Sequence, residues 1–188
     1  STMHCVAGDG VGILVGAVIG SALSLTILAY IALEYILGLG FGWTIFQALF
    51  MKDTAGGSYS KALKNTFIPE LLSMNCLMAA MVPVSEIAKA NVSGSESPLS
   101  VAFWFIMSMA LLAGFIAAYP MNWWLVSNHL KHGMMTVRPK GERIEQDQRK
   151  AAQSSMNMEK PSHYEIGKMT VLSFVILAVG IAIAFIFT

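Results

Sequence analysis

The chain has 188 residues, of which 55% are hydrophobic and 12% charged, and its formal net charge is +1. A soluble domain usually carries about 25% charged residues, so this chain has too few to cover a soluble globule. The near-neutral charge excludes a nucleic-acid-binding protein, which needs a basic surface. Two cysteines, Cys5 and Cys76, are too few for a disulfide scaffold. The composition predicts a multi-pass integral protein of the inner or plasma membrane, in contact with lipid.

The first long apolar stretch extends from Val6 to Met51. As a single helix it would be about 70 Å long, more than twice the hydrocarbon thickness of a bilayer. The stretch must therefore fold back. The hydroxyl-rich segment 21–26 is the expected turn, because serine and threonine side chains can satisfy backbone groups there. We expect one span at about 6–22 and a second at about 27–51.

Three further spans are expected at about 66–88, 99–127 and 166–188. Pro69 is expected in the first turn of the third span, where proline is tolerated, and Pro83 is expected to kink that span. The sequence therefore predicts an all-α integral membrane bundle of about five transmembrane helices.

The spans divide the chain into three parts. Residues 1–135 are expected to form a four-helix membrane core, and residues 164–188 a C-terminal transmembrane helix. Residues 136–163 are polar and mixed in charge, which predicts a cytoplasmic loop that carries a short solvated helix.

Basic residues predict the orientation. With five spans, eleven of the twelve lysine and arginine residues fall on the side of the N-terminus, and Lys89 lies opposite. Because cytoplasmic loops are enriched in lysine and arginine, the N-terminus is expected to be cytoplasmic.

Four glycines, Gly8, Gly12, Gly16 and Gly20, recur at every fourth position of the first span. On a helix they form a strip without side chains, which lets another helix approach closely. The strip predicts a helix-packing face within the bundle. A substrate path or an interface between copies of the chain is the alternative.

Metal-ligating residues occur at the two ends of the predicted core. His4 and Cys5 open the chain, and His129, His132 and Met134 follow the fourth span. Imidazole, thiolate and thioether are soft ligands that suit Cu(I) or, with fewer sulfurs, zinc. These five residues are the candidate metal site, with copper as the candidate ion. Alternatively, the histidines bond to headgroups or loops, and the methionine fills apolar space.

Three acids lie in apolar segments, where a charge is unfavourable by a few kcal/mol. Glu34 is the deepest and is the candidate for an ion- or proton-linked role. The alternative is a structural hydrogen bond from Glu34 to Asn75, Asn122 or a hydroxyl group. Asp9 and Glu70 are expected near helix N-termini, where the helix dipole accommodates a negative charge.

Three stretches resemble the domain-of-unknown-function 4396 family of small membrane proteins, over about residues 3–137. They are His4-Cys5 with Gly8, Gly12 and Gly16; Asn75-Cys76-Leu77-Met78 with Pro83; and Pro120-Met121-Asn122-Trp123-Trp124-Leu125 leading to His132. The resemblance implies a compact helical bundle with a His-Cys end and a His end, and it allows a metal context. It implies no activity.

The chain departs from the family's pattern at three places. Ile13 and Met74 stand where the pattern has acids, and His129-Leu130-Lys131 stands where it has Gly-x-Gly. The first two departures remove acids from within the membrane.

The leading functional hypothesis is an accessory subunit of a larger membrane complex, linked to copper through the candidate metal site. Thin loops and the absence of a soluble domain leave mainly lipid and other membrane subunits to contact. The alternative is a metal-ion or proton transporter, with Glu34, Met74, Met78 and Cys76 along its path. A metal-dependent membrane enzyme is a third hypothesis. No motif of a common enzyme class is present, so no catalytic residue is predicted.

Overall fold

A computed structural model describes residues 2–47, 59–128, 130–131 and 162–187, with the backbone alone for His4, Gln47 and Lys61. All the elements within these residues are helical. They are α1 (Thr2–Ala22), α2 (Ile27–Gly40), α3 (Tyr59–Asn91), α4 (Val101–Ser127) and α5 (His163–Phe187), and a π-helical segment, Phe41–Gln47, continues α2. Counting α2 with its π-helical segment, five helices are long and apolar enough to cross a membrane, which confirms the predicted all-α bundle of about five spans.

The turn between α1 and α2 lies where the hydroxyl-rich segment predicts it. Ser24 has a φ of 50°, in the left-handed region. The N–H of Leu25 donates to the carbonyl of Gly20 at 3.1 Å, and that of Ser24 donates to Ser21 at 3.2 Å. This pair of bonds is a Schellman motif, which satisfies carbonyls at a helix C-terminus and reverses the chain.

The four regularly spaced glycines of α1 face α2 and its π-helical continuation. A Cβ atom on any of them would come within 3.0 Å of that helix. That Cβ would contact the Phe46 side chain at position 8, the Leu37 backbone at position 12, the Glu34 backbone at position 16 and the Tyr30 ring at position 20. The missing side chains therefore allow α1 and α2 to pack nearly backbone to backbone.

Helix α3 is the centre of the bundle and packs against α4 and α5. Met74, Met78 and Met81 lie on it at helical spacing, and all three are wholly buried in the apolar core. The helix begins at Tyr59, so the prediction of Pro69 in its first turn is wrong. Residues 59–65 are polar enough to look like a loop, and this hid the true start of the helix.

Pro83 lies inside α3, and the helix continues past it to Asn91. Because proline has no N–H, the carbonyl four residues earlier, that of Ala79, receives no helical hydrogen bond. That carbonyl is the atom that a Cβ on Gly180 of α5 would strike. The close approach of Gly180 therefore covers the exposed backbone of α3 with the backbone of α5. The kink predicted at Pro83 stays a prediction.

The predicted polar loop at 136–163 lies outside the described residues, apart from its last two positions. The division into a 1–135 core and a separate last helix stays a prediction.

Candidate functional site

Five buried polar side chains meet in the core of the bundle, and we call them the core polar cluster. They are Cys5 and Asp9 of α1, Glu70 of α3, Asn122 of α4, and Lys131, which follows α4. Each is at most 5% exposed. Cys5 and Asp9 are one helical turn apart, so they share a face of α1. Buried charges of this kind are normally paired or bound to a metal.

Lys131 is the hydrogen-bonding centre of the cluster. Its ammonium group donates to Glu70 Oε2 and to Asn122 Oδ1, each at 3.0 Å, and it also donates to Cys5 Sγ. The thiol of Cys5 donates to the same Glu70 Oε2 at 2.8 Å. Burial lowers the pKa of Lys131, but its interactions with Cys5 and Glu70 outweigh burial and raise that pKa overall. The interactions with Cys5 and Glu70 therefore favour the charged form of Lys131.

Asn122 is held in one orientation by two further bonds. Its amide nitrogen donates to Ser73 Oγ at 2.7 Å and to the carbonyl of Ala118 at 3.0 Å. With the nitrogen occupied in this way, the amide oxygen points to Lys131. Asn122 thus fixes the position of the ammonium group.

Asp9 is the exception in this network. It is wholly buried and interacts with the carboxyl group of Glu70, and no donor group among the described residues hydrogen-bonds to either of its oxygens. Oε1 of Glu70 also lacks such a donor. An unpaired buried carboxylate is unfavourable by several kcal/mol unless it takes up a proton or a cation.

Space for the two carboxyl groups comes from Gly42, in the π-helical segment. A Cβ on Gly42 would strike Asp9 Oδ1 and would lie 2.9 Å from Glu70 Oε1. Trp43 anchors the segment, because its indole N–H donates to the carbonyl of Leu63 at 2.9 Å. The hydroxyl of Thr44 donates a hydrogen bond to the carbonyl oxygen of Gly40, which lies just before the π-helical segment. π-helical turns are frequent at functional sites.

The cluster includes a possible set of metal ligands. Cys5 Sγ and a carboxylate oxygen from each of Asp9 and Glu70 lie within 4.8 Å of one another. Sulfur and oxygen donors together suit zinc and similar divalent ions. Of the five predicted metal ligands, Cys5 lies in this set. The side chain of His4 and the residues His129, His132 and Met134 lie outside the described part of the structure.

The prediction that Asp9 and Glu70 lie near helix N-termini is wrong. Helix α1 begins at Thr2 and α3 at Tyr59, so Asp9 lies about two turns and Glu70 about three turns inside its helix. The helix dipole acts mainly within the first turn and does not account for them. The four-residue spacing of Cys5 and Asp9 is the one local sequence feature that indicates a shared polar face at this site. Nothing local in the sequence pointed to Lys131.

Glu34 lies in α2 opposite Gly16 of α1, about two helical turns before Gly42. It is wholly buried, and neither carboxylate oxygen has a hydrogen-bond partner among the described residues. Of the alternative partners predicted for it, the amides of Asn75 and Asn122 bond elsewhere, whereas a hydroxyl group, that of Tyr30, interacts with Glu34. Glu34 interacts electrostatically with Lys89 and Glu86, which form an ion pair at 2.8 Å.

A row of polar groups crosses the middle of the bundle. The hydroxyl of Tyr35 donates to Asn75 Oδ1 at 2.6 Å, and Asn75 Nδ2 donates to Ser173 Oγ at 3.0 Å. Tyr35 also interacts electrostatically with Asp9. The row links α2, α3 and α5 and lies next to the core polar cluster.

A family model described as Domain of unknown function (DUF4396) matches residues 1–131. The chain belongs to this family. The predicted resemblance, over about residues 3–137, is confirmed. All five residues of the core polar cluster lie inside the DUF4396 segment, of which Lys131 is the last residue, and α5 lies beyond it. No curated protein and no solved structure matches the chain significantly.

Proposed function

We propose that this DUF4396 protein moves protons across a membrane, with the core polar cluster as its proton-binding site. The observation that carries the proposal is the environment of Asp9. Its carboxylate is wholly buried beside Glu70, and no donor group among the described residues hydrogen-bonds to either Asp9 oxygen. Lys131 balances one of the two carboxylates. The second is unbalanced, so the site favours uptake of a proton or another cation.

Two buried acids at different depths support a route through the bundle. Asp9 faces Gly42, whereas Glu34 lies opposite Gly16, about two helical turns further along α1. Gly38 lies one turn after Glu34 and one turn before Gly42, which contacts Asp9, and a Cβ on Gly38 would meet the side chains of Ile13 and Met74 at 2.6–2.7 Å. This apolar layer separates the two acids and would prevent free leakage of water and ions.

The far end of the proposed route is a polar cavity of about 370 Å³. Tyr30, Glu86 and Lys89 line it, and all three interact electrostatically with Glu34. The distribution of basic residues supports a cytoplasmic N-terminus, which would place the core polar cluster towards the cytoplasm and this cavity on the opposite side.

The test is proton flux into liposomes that contain the purified protein and a pH-sensitive dye, driven by an imposed membrane potential. We expect flux with the parent protein, and about a tenfold or greater fall with Asp9→Asn or Glu34→Gln, which remove the titrating groups. Glu165→Gln is the matched control, because Glu165 is an exposed acid in the first turn of α5, outside both the core polar cluster and the polar cavity. Parent flux equal to that of protein-free liposomes would contradict the proposal.

The accessory-subunit, copper and inner-membrane hypotheses stay predictions. Apolar side chains such as Val171, Phe174 and Val175 of α5 are exposed, and contact with lipid is sufficient to explain them. Extraction in a mild detergent tests the subunit hypothesis, because a subunit would co-purify with larger chains at fixed stoichiometry.

A further inference from the structure

We propose that the core polar cluster also binds a divalent cation of the zinc class, through Cys5 Sγ and the carboxylates of Asp9 and Glu70. This inference deepens the proposed proton function, since it gives the same site a second cation. It rests on three donors from two helices that lie within 4.8 Å of one another, and on the unpartnered oxygens of Asp9 and Glu70.

The spacing of the donors is close to what a bound ion requires. Zinc bonds to sulfur at about 2.3 Å and to carboxylate oxygen at about 2.1 Å, so tetrahedral ligands lie roughly 3.4–3.7 Å apart. The donor atoms of Cys5, Asp9 and Glu70 are all within 4.8 Å of one another. The donors would have to move closer by only about 1 Å, and Gly42 leaves room for the two carboxyl groups.

The donor types select the class of ion. Magnesium and calcium prefer sites made only of oxygen atoms, and a thiolate is a poor ligand for them. Cu(I) prefers sulfur ligands throughout, which two carboxylates do not supply. One sulfur and two oxygens suit Zn²⁺ or Co²⁺. Three protein ligands leave one tetrahedral position open for water or another small ligand, unlike structural zinc sites, in which the protein supplies all four ligands.

Charge explains how the ion and Lys131 can occupy the cluster together. With Cys5 as a thiol, Asp9 protonated and Glu70 paired with Lys131, the cluster is neutral. With Cys5, Asp9 and Glu70 all ionised, a divalent ion and Lys131 again make it neutral. Binding one ion then releases two protons, one from Cys5 and one from Asp9. Lys131 gives up its bond to Cys5 and keeps Asn122 as an acceptor.

The test is a Co²⁺ titration of the purified full-length protein in detergent micelles, monitored by the absorption band of thiolate-bound cobalt. We expect saturation at one Co²⁺ per chain, displacement by Zn²⁺, and release of about two protons per ion. Cys5→Ser should abolish the band, and Asp9→Asn should weaken binding by about tenfold or more and lower proton release to one. Cys76→Ser is the matched control and should keep both signals, because Cys76 lies outside the cluster.

The absence of the band in the parent protein would overturn the inference, as would a band that depends on Cys76 rather than Cys5. The proton count on the parent protein needs no variant, so poor folding of Cys5→Ser does not block the test. The cobalt titration in micelles uses no membrane gradient, so it is independent of the proton-flux assay. Cobalt binding without proton flux in liposomes would therefore refute the proposed function alone, and flux without cobalt binding would refute this inference alone.

Discussion

Replacing Lys131 by methionine removes the positive charge of the core polar cluster and leaves its two carboxylates. The ammonium nitrogen lies 3.0 Å from Glu70 Oε2, and both side chains are buried. At an effective dielectric constant of about 20, unit charges at that distance attract by about 5.5 kcal/mol. Removing one partner of a buried pair usually lowers the free energy of unfolding by about 3–5 kcal/mol, and we expect a loss in that range.

Two further variants separate charge from packing. Lys131→Met combined with Glu70→Gln removes both charges, and we expect it to recover most of the lost stability. Glu70→Gln alone should be less destabilising than Lys131→Met, because Asp9 can become the partner of Lys131. Lys64→Met is the matched control, since Lys64 is exposed on α3, and its effect should stay within about 0.5 kcal/mol.

The assay is unfolding of the purified protein in mixed micelles by titration with a denaturing detergent. A loss below about 1 kcal/mol for Lys131→Met would refute the reasoning, because a buried pair of this geometry cannot be removed so easily. A double variant as unstable as Lys131→Met would also contradict the prediction, since the loss of stability would then come from lost packing and not from an unpaired charge.

Two other predictions use the same unfolding measurement. Gly16→Ala should lower the free energy of unfolding by about 1–3 kcal/mol, because its Cβ would lie 2.9 Å from the backbone of Glu34. Gly40→Ala is the control and should be neutral or stabilising, because a Cβ there would have nothing within 4 Å. Equal effects of the two substitutions would contradict the packing face described for α1. The raised pKa of Lys131 makes its contribution to stability complete below the unfolded-chain value of about 10.4 and lost as pH rises above it. The stability difference between the parent and Lys131→Met should therefore be constant from about pH 7 to 9 and decrease above about pH 10.4, and a decrease already complete by about pH 9 would be inconsistent with the buried ion pair.

Hydropathy and helix length were enough to predict the number and approximate positions of the spans and the turn after α1. Hydropathy and helix length are local properties, and a stretch too long for one span must fold back near its hydroxyl-rich segment. The start of α3 at Tyr59 was missed, because the polar residues 59–65 continue a helix that is stabilised by its buried part. Propensity is a weak guide where tertiary packing decides.

The core polar cluster, in contrast, could not be predicted from local sequence patterns. Cys5 was predicted as a metal ligand, but with histidines at the chain's ends and not with Asp9 and Glu70. Lys131 is 126 positions from Cys5, and Glu70 is 65 positions from it, so no local pattern relates them. Their meeting depends on how α1, α3 and α4 pack. Helix packing is set by the shapes of side chains and glycine faces distributed over the whole chain, and the buried charges gain their meaning only when those faces come together.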